Sequence, residues 1–485
     1  MKMESTVMLN LQKDKSPFQE QTTLSRNQWT LLALVGLGSM LEFWDAYLIG
    51  FIMAFLIKPW GLTYGIMGAV LLASGAGAVL GGVVWGTIAD RYGRKPVFII
   101  SLLLLAATSL GLAFTPEGGW QYMAVLRTVV GFCTAGYFIQ IALVHEFIPP
   151  KRRGMLTGVV SAITTGGLLL GAFSGAYLIP ALGWRWTFAL GAAPAVVALI
   201  GAFYIPESPR WLSLQGRDSA ARQSIGWALG RGAQYQGDLM VPRPQPSQWR
   251  DILHCPRNLI TTTLINIGLV AGYYGVVLWA PMLLAQVQHI EPAQASKLMI
   301  AFSLLGMLAR LTAAWLADRV GRRKVGGYFA LLAAAALLVA AFVGHDQGGL
   351  ALWFWLPLLV AFVFADGSFS VCALYSTEIW PSRLRGSGAG YAGLTGSVGK
   401  MIGPLGLALV AGSSNSVMPA ATVAAIVPGF SFLACCLLIC GLTYLLLGVE
   451  ARGRSLESID QSFAASSKID DARPMANESH SPDPR

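Results

Sequence analysis

Charge is what this chain has least of. Only 12% of its 485 residues are Asp, Glu, Lys or Arg, against 55% hydrophobic residues, and soluble globular chains carry about twice that share of charge. A water-soluble globular body is excluded on that ground. Cysteine is also scarce: of six, Cys133, Cys372, Cys435, Cys436 and Cys440 fall inside apolar runs and Cys255 beside one. Neither a disulfide framework nor metal-ligand spacing results. No nucleophile–base set or phosphate-cradling loop stands out, so the chain does not read as an enzyme, and no cofactor or metal is expected.

What is present in quantity is long apolar sequence. Runs at 29–57, 65–89, 97–115, 120–147, 155–180, 185–205, 258–287, 294–317, 325–344, 352–378, 387–412 and 419–449 are each near or above the ~20 residues that cross a hydrocarbon core. With no water there to serve the backbone amides, they must be helices, which makes an all-α membrane protein of twelve transmembrane helices. Residues 1–28 read as a polar tail, 29–205 as one six-helix bundle, 206–257 as a linker, 258–449 as a second bundle and 450–485 as a second tail. Short positively charged loops stay in the cytoplasm, and an inside N-terminus puts 28 of the 34 Lys and Arg residues on that side. Both termini are therefore expected in the cytoplasm, with the protein in a bacterial plasma (inner) membrane. The net charge of +10 reports that topology and contact with an anionic lipid leaflet, with no nucleic acid involved.

The chain also repeats itself. GTIADRYGRK, Gly86 to Lys95, returns 228 residues later in AWLADRVGRRK, Ala314 to Lys324. EFIPPKRRG, Glu146 to Gly154, returns 232 residues later as EIWPSRLRG, Glu378 to Gly386. Two matching offsets make a tandem pair of six-helix halves. Asp90 and Asp318 stand at helix C-termini, an unfavourable place for a carboxylate, so each is expected to have a partner elsewhere. With Arg91, Arg94, Glu146, Arg153, Glu207, Arg210, Arg319, Arg322, Glu378 and Arg385 they form a candidate cytoplasmic gate, in which bridges between helix ends hold that side shut in one state.

The repeated loop resembles the signature of the major facilitator superfamily, and PESPRWL, Pro206 to Leu212, resembles its sugar-porter and related metabolite branches. The resemblance implies two rocking halves with substrate at the midplane. Charges within the spans are expensive and mark function. Glu42 and Asp45 share a face of the first span, and Arg127 lies in the fourth. An Asp and an Arg in those helices form a proton-sensitive pair in the sugar porters, so Asp45, Glu42 and Arg127 are the expected coupling residues, with Asp45 accepting the proton. Arg310, two turns from a helix end, is expected to snorkel or bind a nearby acid. Asp366 is open between pairing with Lys400 and facing the substrate. Glycines 75, 77, 81 and 82 read as helix-packing positions.

The seventh span, AGYYGVVLWAPMLL, and the fifth, SAITTGGLLLGAF, lack the glutamines with which sugar porters hold hydroxyls. The Tyr-Tyr-Gly and Trp-x-Pro pattern, and Lys400 before Gly403-Pro404, look more like the branch that carries niacin, aromatic acids and other organic acids. Tyr47, Tyr137, Tyr273, Tyr274, Trp279, Asp366 and Lys400 are the candidate substrate site. The expected activity is proton symport, inward, of a small organic acid by a monomeric carrier. A sugar or polyol carrier is the nearest alternative, then a drug:proton antiporter, disfavoured because Gly171-Ala172 replaces its Gly-Pro. A non-transporting receptor is last, because the linker and tail leave little room for an added domain.

Overall fold

A computed structural model describes residues 18, 21–232, 235, 239, 249–346, 353–381 and 384–450, without the side chains of 151, 154, 249 and 385. Among these, twelve helices are long and apolar enough to cross a membrane: α1 (Arg26–Trp60), α2 (Tyr64–Tyr92), α3 (Arg94–Ala113), α4 (Trp120–Phe147), α5 (Met155–Leu182), α6 (Trp184–Tyr204), α7 (Pro256–Val287), α8 (Pro292–Val320), α9 (Arg322–His345), α10 (Trp355–Glu378), α11 (Gly386–Val410) and α12 (Pro419–Leu446). The expected tails, and the middle of the linker, lie mostly outside the described residues.

Local sequence sets the helix ends. α1 starts three residues earlier than its apolar run because Ser25 and Gln28 form a capping box, which satisfies two of the orphan amides. Proline opens α7, α8 and α12, where its missing N–H costs nothing. α4 is broken at Thr134–Gly136, which begins a new helical segment at Tyr137. α5 carries a π-helical turn, Ser174–Leu178, just before Pro180.

The two halves repeat one packing scheme. α1 lies on α5, α2 on α4 and α3 on α4 and α6; correspondingly α7 lies on α11, α8 on α10 and α9 on α10 and α12. Small residues set the close approaches. Gly77 and Gly81 of α2 press on the α4 backbone, and Gly131 of α4 presses on Ser74. Gly82 departs from the packing expectation, since a side chain there would meet nothing within 4 Å.

The halves meet along α1–α7, α2–α11 and α5–α8, and the contact is closed at one end. A Cβ on Gly50 would stand 2.6 Å from the Leu278 carbonyl, and one on Gly65 2.7 Å from that of Ser413. Tyr64 N–H donates to Asn415 O at 3.0 Å and Gly65 N–H to Ser413 O at 2.9 Å. The Tyr64 hydroxyl lies 2.6 Å from Thr422 Oγ1. At the opposite, basic end, which carries the repeated Asp-Arg motifs, Gly86 of α2, Gly158 of α5 and Gly386 of α11 would meet nothing within 4 Å. The halves are sealed together at the far end.

At the basic end each half has a carboxylate cap. Glu207 accepts from the backbone amides of Arg94 at 2.9 Å, Lys95 at 3.2 Å and Ser208 at 2.7 Å. Glu450 accepts from the amide of Arg322 at 3.0 Å. Both caps favour the positive end of a helix dipole, at α3 and α9. The chain reaches them through Gly93 at φ +106° and Gly321 at φ +116°, and a Cβ at either would run into the capping carboxylate.

Gly93→Ala and Gly321→Ala should each lower unfolding free energy by about 1–3 kcal/mol, read as a lowered melting temperature of the purified protein. Gly86→Ala, in open space, should leave it unchanged. Equal melting of all three variants would show that the caps and the positive φ carry no strain.

Candidate functional site

The first cluster forms where α1 meets α3 and α4. Asp45 Oδ1 accepts from Arg127 Nη1 at 2.8 Å, and Asp45 Oδ2 accepts from the Ser109 hydroxyl. Arg127 also donates to the α1 carbonyls of Asp45 at 3.0 Å and Ala46 at 3.1 Å. The expected Asp45–Arg127 pair is therefore formed, fully buried on both sides. Its guanidinium is tied to the backbone as well as to the carboxylate.

One turn away, Glu42 is in a different situation. Its Oε1 accepts from Gln140 Nε2 at 3.0 Å, and Gln140 Oε1 in turn accepts from Ser39 Oγ at 3.2 Å. Glu42 Oε2 is buried and has no hydrogen-bond partner. Gln140 and Ser109 were not picked out in the sequence, although a lone Gln in an apolar span is a usable signal.

The second half holds its own buried pair. Arg310 Nε and Nη2 grip Asp366 Oδ2 and Oδ1 at 2.8 and 2.7 Å, two parallel bonds of the strong bidentate kind. This corrects one expectation: Asp366 pairs with Arg310 and not with Lys400. The reason is depth. α8 runs on to Val320, so Arg310 lies ten residues, about 15 Å, from the helix end, level with Asp366 and too deep to snorkel.

Between these two pairs runs an aromatic track. Tyr137 contacts Phe43 (ring centroids 5.4 Å), Phe43 contacts Tyr47 (6.1 Å), and Tyr47 stacks across the interface on Tyr274 (5.9 Å). Tyr274 meets Tyr273 at 5.4 Å, and Tyr273 meets Phe369 at 5.1 Å. The Arg310 guanidinium lies 5.1 Å over the Phe369 ring. Lys400 ends this track from α11: it is 8% exposed, and its Nζ stands 5.0 Å over the Tyr274 ring. Among the described residues it makes no ion pair, and its charged neighbour is another cation, Arg127.

Trp279 does not join this track. It stacks on Tyr64 at 5.8 Å in the far-end seal, because five residues of helix carry it more than a turn beyond Tyr274. Phe43 and Phe369 do join it, though nothing in the sequence distinguishes them from other core aromatics.

The candidate gate is built within the halves. Arg94 Nε bonds Glu146 at 3.3 Å, and Glu146 also accepts from Ser208. Arg322 Nε lies 2.6 Å from Glu378, and Arg322 Nη2 lies 3.3 Å from Asp318. The partners expected from sequence proximity, Arg153 and Arg210, are exposed, and the side chain of Arg385 lies outside the described residues. Asp90 contributes its carbonyl, to Trp211 Nε1 at 2.9 Å. Arg91 and Arg319 lie over Tyr92 and Trp315. Arg94–Glu146 and Arg322–Glu378 are repeat-related, and so are the caps Glu207 and Glu450. Glu450 was missed, yet it follows α12 as Glu207 follows α6, so the repeat could have shown it.

The family model described as Major Facilitator Superfamily matches residues 35–404 and 262–467. The chain is 28% identical to the niacin transporter NiaP of Acinetobacter baylyi over 91% of its own length and 98% of that protein's. It is also 28% identical to the 4-hydroxybenzoate transporter PcaK of Pseudomonas aeruginosa, covering 80% and 88%. A synaptic vesicle 2-related protein of Rattus norvegicus is 27% identical, covering 90% and 81%. The inward open conformation of the E. coli xylose transporter XylE shares the fold with a TM-score of 0.68 at 18% identity, covering 90% and 99%.

A buried pair is costly to break and cheap to replace whole. Arg310→Met should destabilise by about 3–5 kcal/mol by stranding Asp366, while Arg310→Met with Asp366→Leu should recover most of that. Denaturant titration of the purified variants measures both. A double variant as unstable as the single one would show that the pair stabilises the fold outright.

Proposed function

The chain belongs to the Major Facilitator Superfamily, and from that premise we propose that it is a proton-coupled symporter that takes up a small aromatic monocarboxylate. The basic end faces the cytoplasm on this reading, in keeping with its lysines and arginines, and the seal at the far end makes this an inward-facing state of an alternating-access cycle.

The observation that carries the reading is Lys400. Among the described residues three cations lie deep in the spans, and two are spoken for: Arg127 by Asp45 and Arg310 by Asp366. Lys400 is left facing a tyrosine ring with no counter-ion among the described residues. A buried ammonium strongly favours an anion in that low dielectric. The Tyr274 ring beneath it, which meets Tyr47 and Tyr273 in turn, suits a flat apolar body. A neutral polyol was the stronger alternative had Asp366 neutralised Lys400, and that condition is not met. The niacin and 4-hydroxybenzoate named for two relatives are both small aromatic monocarboxylates, which supports the same class.

Coupling is assigned to the acid cluster of Glu42 and Asp45 with Arg127. The basic-end charges act as braces that keep each half rigid as it rocks, since Arg94–Glu146 and Arg322–Glu378 are made inside a half. A monomeric carrier is part of this proposal.

Uptake of labelled 4-hydroxybenzoate and nicotinate into proteoliposomes tests the reading. Lys400→Ala should raise KM at least tenfold or abolish uptake, about the 1.4 kcal/mol or more expected of a desolvated ion pair, and Lys400→Arg should keep part of it. Unimpaired carboxylate uptake by Lys400→Ala would refute the assignment. Saturable uptake of an uncharged sugar by the native protein would move the substrate class to polyols.

A further inference from the structure

We propose that Glu42, and not Asp45, is the group that takes up and releases the coupled proton, with Gln140 as its positioning residue. The inference deepens the proposed transport function and rests on that reading for its physiological meaning.

The two carboxylates are three residues apart on one helix and differ in what they touch. Asp45 has both oxygens bonded, one to a guanidinium and one to a hydroxyl, and that guanidinium is anchored on two α1 carbonyls. Protonating Asp45 would take from Arg127 the one carboxylate it is bonded to. Glu42 has no cation. Its one partner is a neutral amide, held with its NH2 toward Glu42 because Ser39 donates to the amide oxygen. Its second oxygen, Oε2, is buried and unpartnered.

A lone carboxylate in such a place is several kcal/mol less favourable than the acid. The acid form fits the contacts as they stand: the proton sits on Oε2, and Oε1 remains the carbonyl oxygen that accepts from Gln140. No bond has to be broken to load the site.

The groups around Glu42 offer no rival. Asp45 faces it from its own helix, and α4 brings Cys133 and Tyr137 within electrostatic reach, while Arg127 is held by Asp45. α3 presents the hydroxyls of Ser101 and Ser109, α5 presents Gly166, Gly167 and Thr164 around Met40, Trp44 and Tyr137, and α6 packs Val197 near Gly38. α7 places Tyr274 on Tyr47, one turn further along. Tyr137 is partly exposed and abuts Phe43, the residue after Glu42.

Infrared difference spectra of the full-length protein in detergent, recorded between acid and alkaline pH, test this without any substrate. A protonated carboxyl C=O band should appear in the native protein and in Asp45→Asn and be missing in Glu42→Gln, which keeps the side chain's shape. Gln140→Leu should keep the band and move it to higher wavenumber, because the carbonyl oxygen loses its hydrogen bond. Absence of the band from native protein, its survival in Glu42→Gln, or an unmoved band in Gln140→Leu would each overturn the assignment.

A transport arm uses labelled 4-hydroxybenzoate in proteoliposomes. Glu42→Gln should lose accumulation driven by a pH gradient and keep exchange across the membrane. Gradient-driven accumulation by Glu42→Gln would overturn the assignment. If native protein exchanges no carboxylate while the Glu42 band behaves as stated, the substrate reading fails and the proton site stands.

Discussion

The constraint on which this protein depends is that charge in a low-dielectric interior must be compensated. Six ionisable side chains of opposite kinds lie deep in the spans: Glu42, Asp45, Arg127, Arg310, Asp366 and Lys400. Four are consumed in two closed pairs, one inside each half. Each pair stays inside its own bundle, so rocking of the halves does not have to break it. What remains is one acid in the first half and one base in the second, each without an ionic partner among the described residues.

The backbone is arranged so that this interior can be closed and opened. Where the halves touch, glycine removes the side chain that would hold them apart: Gly50 against Leu278, Gly65 against Ser413, Gly75 against Met401. Such contacts gain from dispersion over a wide area and involve few directional bonds, which suits a seam that must part. At the basic end the ion pairs Arg94–Glu146 and Arg322–Glu378, among the described residues, lie within a half. The caps at Glu207 and Glu450 and the pairs of Arg94 and Arg322 stiffen each bundle without joining the two. Rigid halves and a soft seam are what a rocking motion requires.

Much of this was legible in the sequence. The spans follow from apolar run length, and the two halves follow from the repeated Asp-Arg and Glu-x-x-Pro phrases. The Asp45–Arg127 pair follows because an arginine that deep needs an acid, and the resemblance to the sugar porters points to one in the first span. Arg310 was expected to snorkel or bind a nearby acid, and Asp366 was not identified as that acid for a quantitative reason: taking α8 to end at 317 instead of Val320 made Arg310 look shallow enough to reach water. Trp279 was placed in the site because a motif groups it with Tyr274, whereas helical rise separates them. Phe369 was invisible because its role comes from helices that sequence periodicity does not bring together, and Gln140 showed only as a lone polar residue in an apolar span. No pattern in the chain states which side of α4 faces Glu42.

The two groups left over also explain how proton and substrate could be tied together. With Glu42 protonated and a carboxylate on Lys400, no charge in the interior is unpaired. With either one missing, at least one lone ion is left: the Glu42 carboxylate, the Lys400 ammonium, or both. Drawing a lone ion under the closed seam carries a desolvation cost of several kcal/mol, so the incompletely loaded carrier is held back while the fully loaded one moves. On this assignment coupling needs no contact between Glu42 and Lys400. It needs only that the same dry interior encloses both, and the two closed pairs secure that by leaving no third group to compensate.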